Sequence, residues 1–109
     1  MELTSKTIGK WTVVHPTGYL SEDHFTNDLE KVCLEKIRNG ETWLAFDLSA
    51  VPFINSTVLR VFILCQKLLK ERSGGVAILY PQKNVLEVIE VCGLHKIIPV
   101  CVRESELLL

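Results

Sequence analysis

No Cys-x-x-Cys pair, no Gly-x-Gly-x-x-Gly and no Gly-x-x-x-x-Gly-Lys-Ser/Thr occurs in this chain of 109 residues, and each absence removes a class of function. The four cysteines, Cys33, Cys65, Cys92 and Cys101, are too dispersed for a zinc site or a thioredoxin-like redox centre. Each lies in or beside an apolar pattern, so all four are expected to be buried free thiols behaving as small hydrophobes. Without the glycine fingerprints there is neither a dinucleotide crevice nor a phosphate loop. Gly74-Gly75 follows a helix, which is the wrong end for holding phosphate. His15, His24 and His95 have no spacing that sets two on one helical face, so no metal and no cofactor are expected.

An excess of charge of one sign is also missing. Twelve Lys and Arg stand against thirteen Asp and Glu, a net charge of -1, so no general field draws the chain to nucleic acid or to an anionic membrane. A protein partner or a neutral ligand fits that balance. The opening Met1-Glu-Leu-Thr-Ser-Lys6 has no basic region followed by an apolar stretch, and no uninterrupted apolar run exceeds Val61 to Cys65. A soluble, cytoplasmic protein without membrane insertion is expected. With 48% hydrophobic residues, the length suits one domain over residues 1–109 with a single core.

The apolar periodicity alternates between strand and helix. Trp11 to Tyr19 reads as one strand or two broken near Pro16, with a weaker strand over Leu3 to Ile8. Ser21 looks like an N-cap, and Phe25, Leu29, Val32, Cys33 and Ile37 recur at helical spacing up to Asn39-Gly40, predicting a helix over Glu22 to Arg38. Thr42 to Leu48 reads as a strand buried on both faces. From Asn55 a helix is predicted to about Arg72, with Val58, Leu59, Val61, Phe62, Leu64, Cys65, Leu68 and Leu69 apolar and Arg60, Gln66 and Lys67 solvated. Val76 to Tyr80 is a further strand, and the pattern from Val85 to Cys92 a helix closed by Gly93. Ile97 to Val102 is a last strand despite Pro99, and Glu104 to Leu109 a terminal helix. Strands alternating with long helices indicate an α/β class with a parallel sheet and right-handed crossovers.

The stretch Asp47-Leu-Ser-Ala-Val-Pro-Phe-Ile-Asn-Ser-Thr-Val-Leu-Arg60 joins a buried strand to an amphipathic helix through a short polar turn. With Asn55 as N-cap, Ser56 is the first helical residue, beside unpaired backbone N–H groups and the positive end of the dipole. A phosphate on Ser56 is therefore tolerable to the fold, yet costly to a partner docked over it. The plainer reading makes Ser56 an auxiliary cap. An enzyme is a third reading, with Ser56 or Asp47, or Cys92 with His95, doing the chemistry. The elbow Ile54-Asn-Ser-Thr-Val58 has no Gly-x-Ser-x-Gly, however, and Gly93 ends the helix between Cys92 and His95. Asp47 suits equally a carboxylate that accepts bonds from the turn after it.

These residues resemble the STAS domain of anti-sigma factor antagonists. Leu44 to Arg60 is similar to the family's strand, Asp-Ser-x-Gly-Leu turn and helix. Lys70 to Leu79, Pro81, Val85 to Glu90 and Cys92-Gly-Leu-His-Lys-Ile-Ile-Pro-Val100 resemble its later segments, and Val14 to Ser21 its Gly-x-Leu-Asp strand end. The resemblance runs over roughly residues 10–103. It implies a mixed, mainly parallel sheet with helices packed mainly on one face, no enzymatic activity, and partner switching. In that scheme the antagonist binds an anti-sigma factor with serine/threonine kinase activity, phosphorylation ends the binding, and a phosphatase restores it. Carried over, Ser56 matches the phosphoacceptor, with Thr57 the second choice, and Ser21, Asn55, Ser56, Thr57, Val58 and Arg60 form the expected partner surface. Asn55 replaces the family's acidic residue, Ser21 its Asp, and Val58 its glycine, where a β-branched side chain hinders close backbone approach. Those departures suit the alternative of a divergent subunit, of stressosome or lipid-transport type, that binds a partner without being phosphorylated.

Overall fold

The computed structural model describes residues 2–18 and 23–107. In chain order the elements are β1 (Glu2–Ile8), β2 (Trp11–Thr17), α1 (Asp23–Arg38), β3 (Trp43–Asp47), α2 (Ser56–Lys70), β4 (Gly75–Leu79), α3 (Lys83–Cys92), a 3-10 turn (Leu94–Lys96), β5 (Val100–Cys101) and α4 (Glu104–Leu107). One five-stranded sheet has the order β1-β2-β3-β4-β5. β1 runs antiparallel to β2, and every later pair is parallel. Because each crossover steps to the next strand in the same direction, helices of a constant hand arrive on the same face. The predicted α/β class with helices mainly on one face is what the chain adopts.

Strand alternation divides the interior into two clusters. Val14, Leu44, Phe46, Val76 and Ile78 face the helices, where they meet Leu29 and Ile37 of α1, Phe62 and Leu69 of α2 and Ile89 of α3. Phe46 and Phe62 pack with ring centroids 4.6 Å apart at the middle of this layer. Trp11, Val13, Ala45, Ala77, Leu79 and Cys101 form the opposite face, against which Leu107 of the four-residue α4 packs. The sheet is thus buried on both sides, as the unbroken apolar strands require.

Of the two readings of the Trp11 segment, the unbroken strand is the one observed: β3 pairs only with Thr12 to Val14, and Pro16 lies past that ladder. Other expectations need correction. The last strand shrinks from Ile97–Val102 to two residues. The N–H groups of Ile97 and Ile98 are spent on the Leu94 carbonyl, and Pro99 has none to give. Gln66, expected in solvent, accepts the Val76 N–H at 2.8 Å and donates to the Ile97 carbonyl at 3.3 Å, tying α2 to β4 and to the turn after α3. Cys33, Cys65 and Cys101 are buried free thiols, but Cys92 is exposed, since it closes α3 on a side with nothing packed over it. A hydrogen bond with Cys65, reinforced by burial, pushes the Cys33 thiol up and keeps it protonated and inert. No helix among the described residues is long and apolar enough to cross a membrane.

Candidate functional site

The turn before α2 is built from the end of β3 outward. Asp47 is buried, and its Oδ1 accepts both the Ser49 N–H at 3.0 Å and the Ser49 hydroxyl at 2.7 Å. Its Oδ2 lies 3.9 Å from His15 Nδ1 on β2. The carboxylate therefore closes the turn, as one of its two readings had it. Neighbouring loops hold the segment: the Gly18 N–H donates to the Ala50 carbonyl at 3.3 Å and the Gln82 side-chain amide to the Ser49 carbonyl at 2.9 Å. Val51 and Ile54 anchor it in the core while Phe53 between them stays 49% exposed.

Asn55 then starts α2 in extended geometry, φ -117° and ψ 179°, with its side-chain oxygen accepting the Val58 N–H at 3.1 Å. This is the N-cap read from the sequence. Ser56 is exposed, Thr57 half-buried and Arg60 exposed. Val58 is different: it is completely buried in the core. Its side chain cannot belong to a partner surface, and it does not obstruct backbone approach, because it points inward. Ser21 lies outside the described residues. Replacing Asn55 by Ala should lower unfolding free energy by about 1 kcal/mol, whereas Asn55→Asp should hold it, because the carboxylate caps equally and suits the dipole. Urea denaturation of both variants checks this.

Sequence reasoning missed what lies beside Ser56. A shallow cavity of about 240 Å³ opens between α2 and the end of α3, lined by Ser56, Leu59, Arg60, Ile63, Cys92, Gly93, Leu94 and Ile97. Ile63 and Ile97 are 45% and 54% exposed, and Val91, at the end of α3, is 89% exposed. The available signal was the width of the apolar arc on α2. Leu59 and Ile63 are i, i+4 neighbours on a second stripe, which the sheet behind Val58, Phe62 and Leu69 does not cover. Cys92 and His95 do not form a nucleophile and base. The Cys92 thiol donates to the Ile89 carbonyl at 3.3 Å, and no hydrogen bond joins it to His95 among the described residues. No cluster of three His, Cys, Asp or Glu able to hold a metal occurs among the described residues either.

Residues 3–107 match the family model described as STAS domain. The Bordetella bronchiseptica protein named putative anti-sigma factor antagonist BtrV is 28% identical over 100 residues, spanning 92% of this chain and 85% of that protein. The crystal structure of a Thermotoga maritima protein described as a putative anti-sigma factor antagonist superposes with a TM-score of 0.89 at 20% identity, over 97% of this chain and 91% of the other. The anti-sigma factor antagonist SpoIIAA in its unphosphorylated form gives 0.83 at 17% identity, over 98% and 93%. Bacillus SpoIIAA in its phosphorylated form gives 0.75 at 16%, over 98% and 96%. At such identities the structural likeness establishes the fold.

Proposed function

The chain belongs to the STAS domain family, and from that premise we propose that it is an anti-sigma factor antagonist, a binding protein and not an enzyme, switched at Ser56. The observation that carries this reading is the exposed hydroxyl of Ser56 on the rim of an uncovered apolar groove. In the unmodified state the groove, with Ile63 and Ile97 standing proud, offers apolar area to an anti-sigma factor that is also a serine/threonine kinase. Arg60, one turn beyond Ser56 on the same helix face, supplies a cation at the edge. Phosphorylation adds about -1.5 to -2 charges at the rim. The helix N-terminus accommodates that charge through its free N–H groups, so the domain stays folded while the docked surface becomes strongly hydrated. A phosphatase acting on the phosphoserine returns the protein to its binding state.

Two experiments test the reading. Incubation with the candidate kinase and ATP, followed by mass spectrometry, should place one phosphate on Ser56, with half-buried Thr57 the second choice. No modification at either residue removes the switch and leaves a constitutive binding subunit, a reading supported by the neutral Asn55 where the family has an acid. In that case, phosphorylation appearing in Asn55→Asp would identify the missing charge as the reason. Independently, Ile63→Glu should weaken partner capture by about tenfold or more, because it sets a charge in the groove's centre without touching Ser56. Undiminished binding would move the interface elsewhere.

A further inference from the structure

The opposite face of the sheet carries a second cavity, of about 370 Å³, bordered by Lys10, Trp11, Trp43, Gly75, Ala77, Cys101 and Leu107 among others. Its origin lies in the strand register. Thr12 pairs with Leu44 and Trp43 with Gly75, so Trp11, Trp43 and Gly75, the opening residues of β2, β3 and β4, stand in one row across the sheet. The two indoles meet edge to face, 5.2 Å apart at 68°. Gly75 contributes no side chain, leaving a slot beside Trp43. The next row, Val13, Ala45 and Ala77, is low towards β4 and gives the slot a shallow floor.

Several of its polar groups are committed. The Trp11 indole N–H donates to the Leu107 carbonyl at 2.9 Å. Gln66 is occupied by Val76 and Ile97, and Glu106 Oε1 accepts the Val102 and Arg103 N–H groups. Burial, with the Glu106 charge second, pushes the Cys101 thiol up, so it stays neutral. Lys10 is the one cation among the described lining residues. Its ammonium lies 3.8 Å from the Trp43 ring centre and has no carboxylate within ion-pair distance among the described residues.

We propose that this cavity binds a small planar aromatic monocarboxylate, its ring in the slot beside Trp43 and its carboxylate paired with Lys10. The aromatic walls favour a flat ring by edge and face contact. The single cation of the lining selects one negative charge, and the Glu106 carboxylate, also in the lining, disfavours a second. The cavity falls within the size range of small-molecule sites. It lies at the N-terminal ends of the parallel strands, whereas the Ser56 loop lies beyond their C-terminal ends, so ligand and protein partner do not compete for the same surface.

Both tryptophans of the chain border the cavity, so intrinsic fluorescence reads it directly. Titrating the full chain with 3-phenylpropanoate should give a saturable change in emission. Binding should weaken by about fivefold for neutral 3-phenylpropan-1-ol and, equally, for Lys10→Met with the carboxylate. Gly75→Val should abolish it: an added Cβ meets Trp43 at 3.6 Å, an ordinary contact, and the branch beyond it takes up the slot. Circular dichroism confirms that this variant folds; should it not, Lys10→Met, altered at an exposed residue, carries the test alone. No saturable change up to the solubility limit of 3-phenylpropanoate, or equal affinity for acid and alcohol, overturns the proposal. So does undiminished affinity in Lys10→Met or in a folded Gly75→Val.

Discussion

Ser56→Asp should abolish capture of the proposed anti-sigma partner while leaving the domain as stable as before. The two halves of that expectation have separate physical causes. Ser56 opens α2 and is exposed, so a carboxylate there meets unpaired N–H groups and the positive end of the helix, worth about 0.3–1 kcal/mol in its favour. The melting temperature should therefore hold or rise slightly. At the interface the same charge sits on the rim of an apolar groove, where an unpaired, desolvated ion costs roughly 2–5 kcal/mol, a loss in affinity of about thirtyfold to several thousandfold. Ser56→Ala removes only a hydroxyl and should bind within about threefold of the parent, since a solvent-facing oxygen contributes little. Calorimetric titration of both variants against the partner separates these effects. Wild-type affinity in Ser56→Asp would mean that the groove is not covered in the complex. A fall in Ser56→Ala as large as in Ser56→Asp would mean that the hydroxyl is a contact and not a switch.

The parts of this chain that could be read from its sequence are those in which local chemistry and global packing agree. Asn55 caps α2 because its side chain has the reach to bond the N–H three residues on, whatever surrounds it. Gly93 closes α3 because its backbone is left-handed, φ 79°, where other residues are strained. The misread parts depend on neighbours distant in the chain. Gln66 looks solvated in a helical projection, and only the arrival of β4 supplies the Val76 N–H that it satisfies. Ile97 and Ile98 look like strand residues, but the turn from Leu94 takes their N–H groups first. The groove beside Ser56 was invisible because it needs Cys92, Leu94 and Ile97 to come alongside Leu59 and Ile63, a tertiary event across some thirty positions. The aromatic slot is a matter of register: nothing in the sequence announces that Gly75 stands next to Trp43.

Phe62→Ala should lower unfolding free energy by about 3–5 kcal/mol, the largest stability loss expected from a single truncation here. Phe62 has no exposed surface and packs at a tilt of 41° against Phe46 of the central strand β3, joining α2 to the middle of the sheet. Truncation removes the transfer energy of the ring and leaves a cavity that the rigid Phe46, Leu44 and Ile78 wall cannot collapse to fill. Domains of this size hold only about 5–15 kcal/mol in all, and each kcal/mol moves the melting temperature by about 4–8 °C, so a fall of some 12 °C or more is expected. Phe62→Leu keeps most of the volume and should cost less than half as much. Because Phe62 is buried in the core while the groove is lined by Leu59 and Ile63 on the adjoining stripe of α2, partner affinity measured well below the lowered melting point should fall far less than stability does. Such a result separates the scaffold from the docking surface. A melting temperature within a few degrees of the parent would instead mean that α2 is held by its other contacts, Gln66 to β4 foremost, and that the aromatic pair is not the joint between helix and sheet.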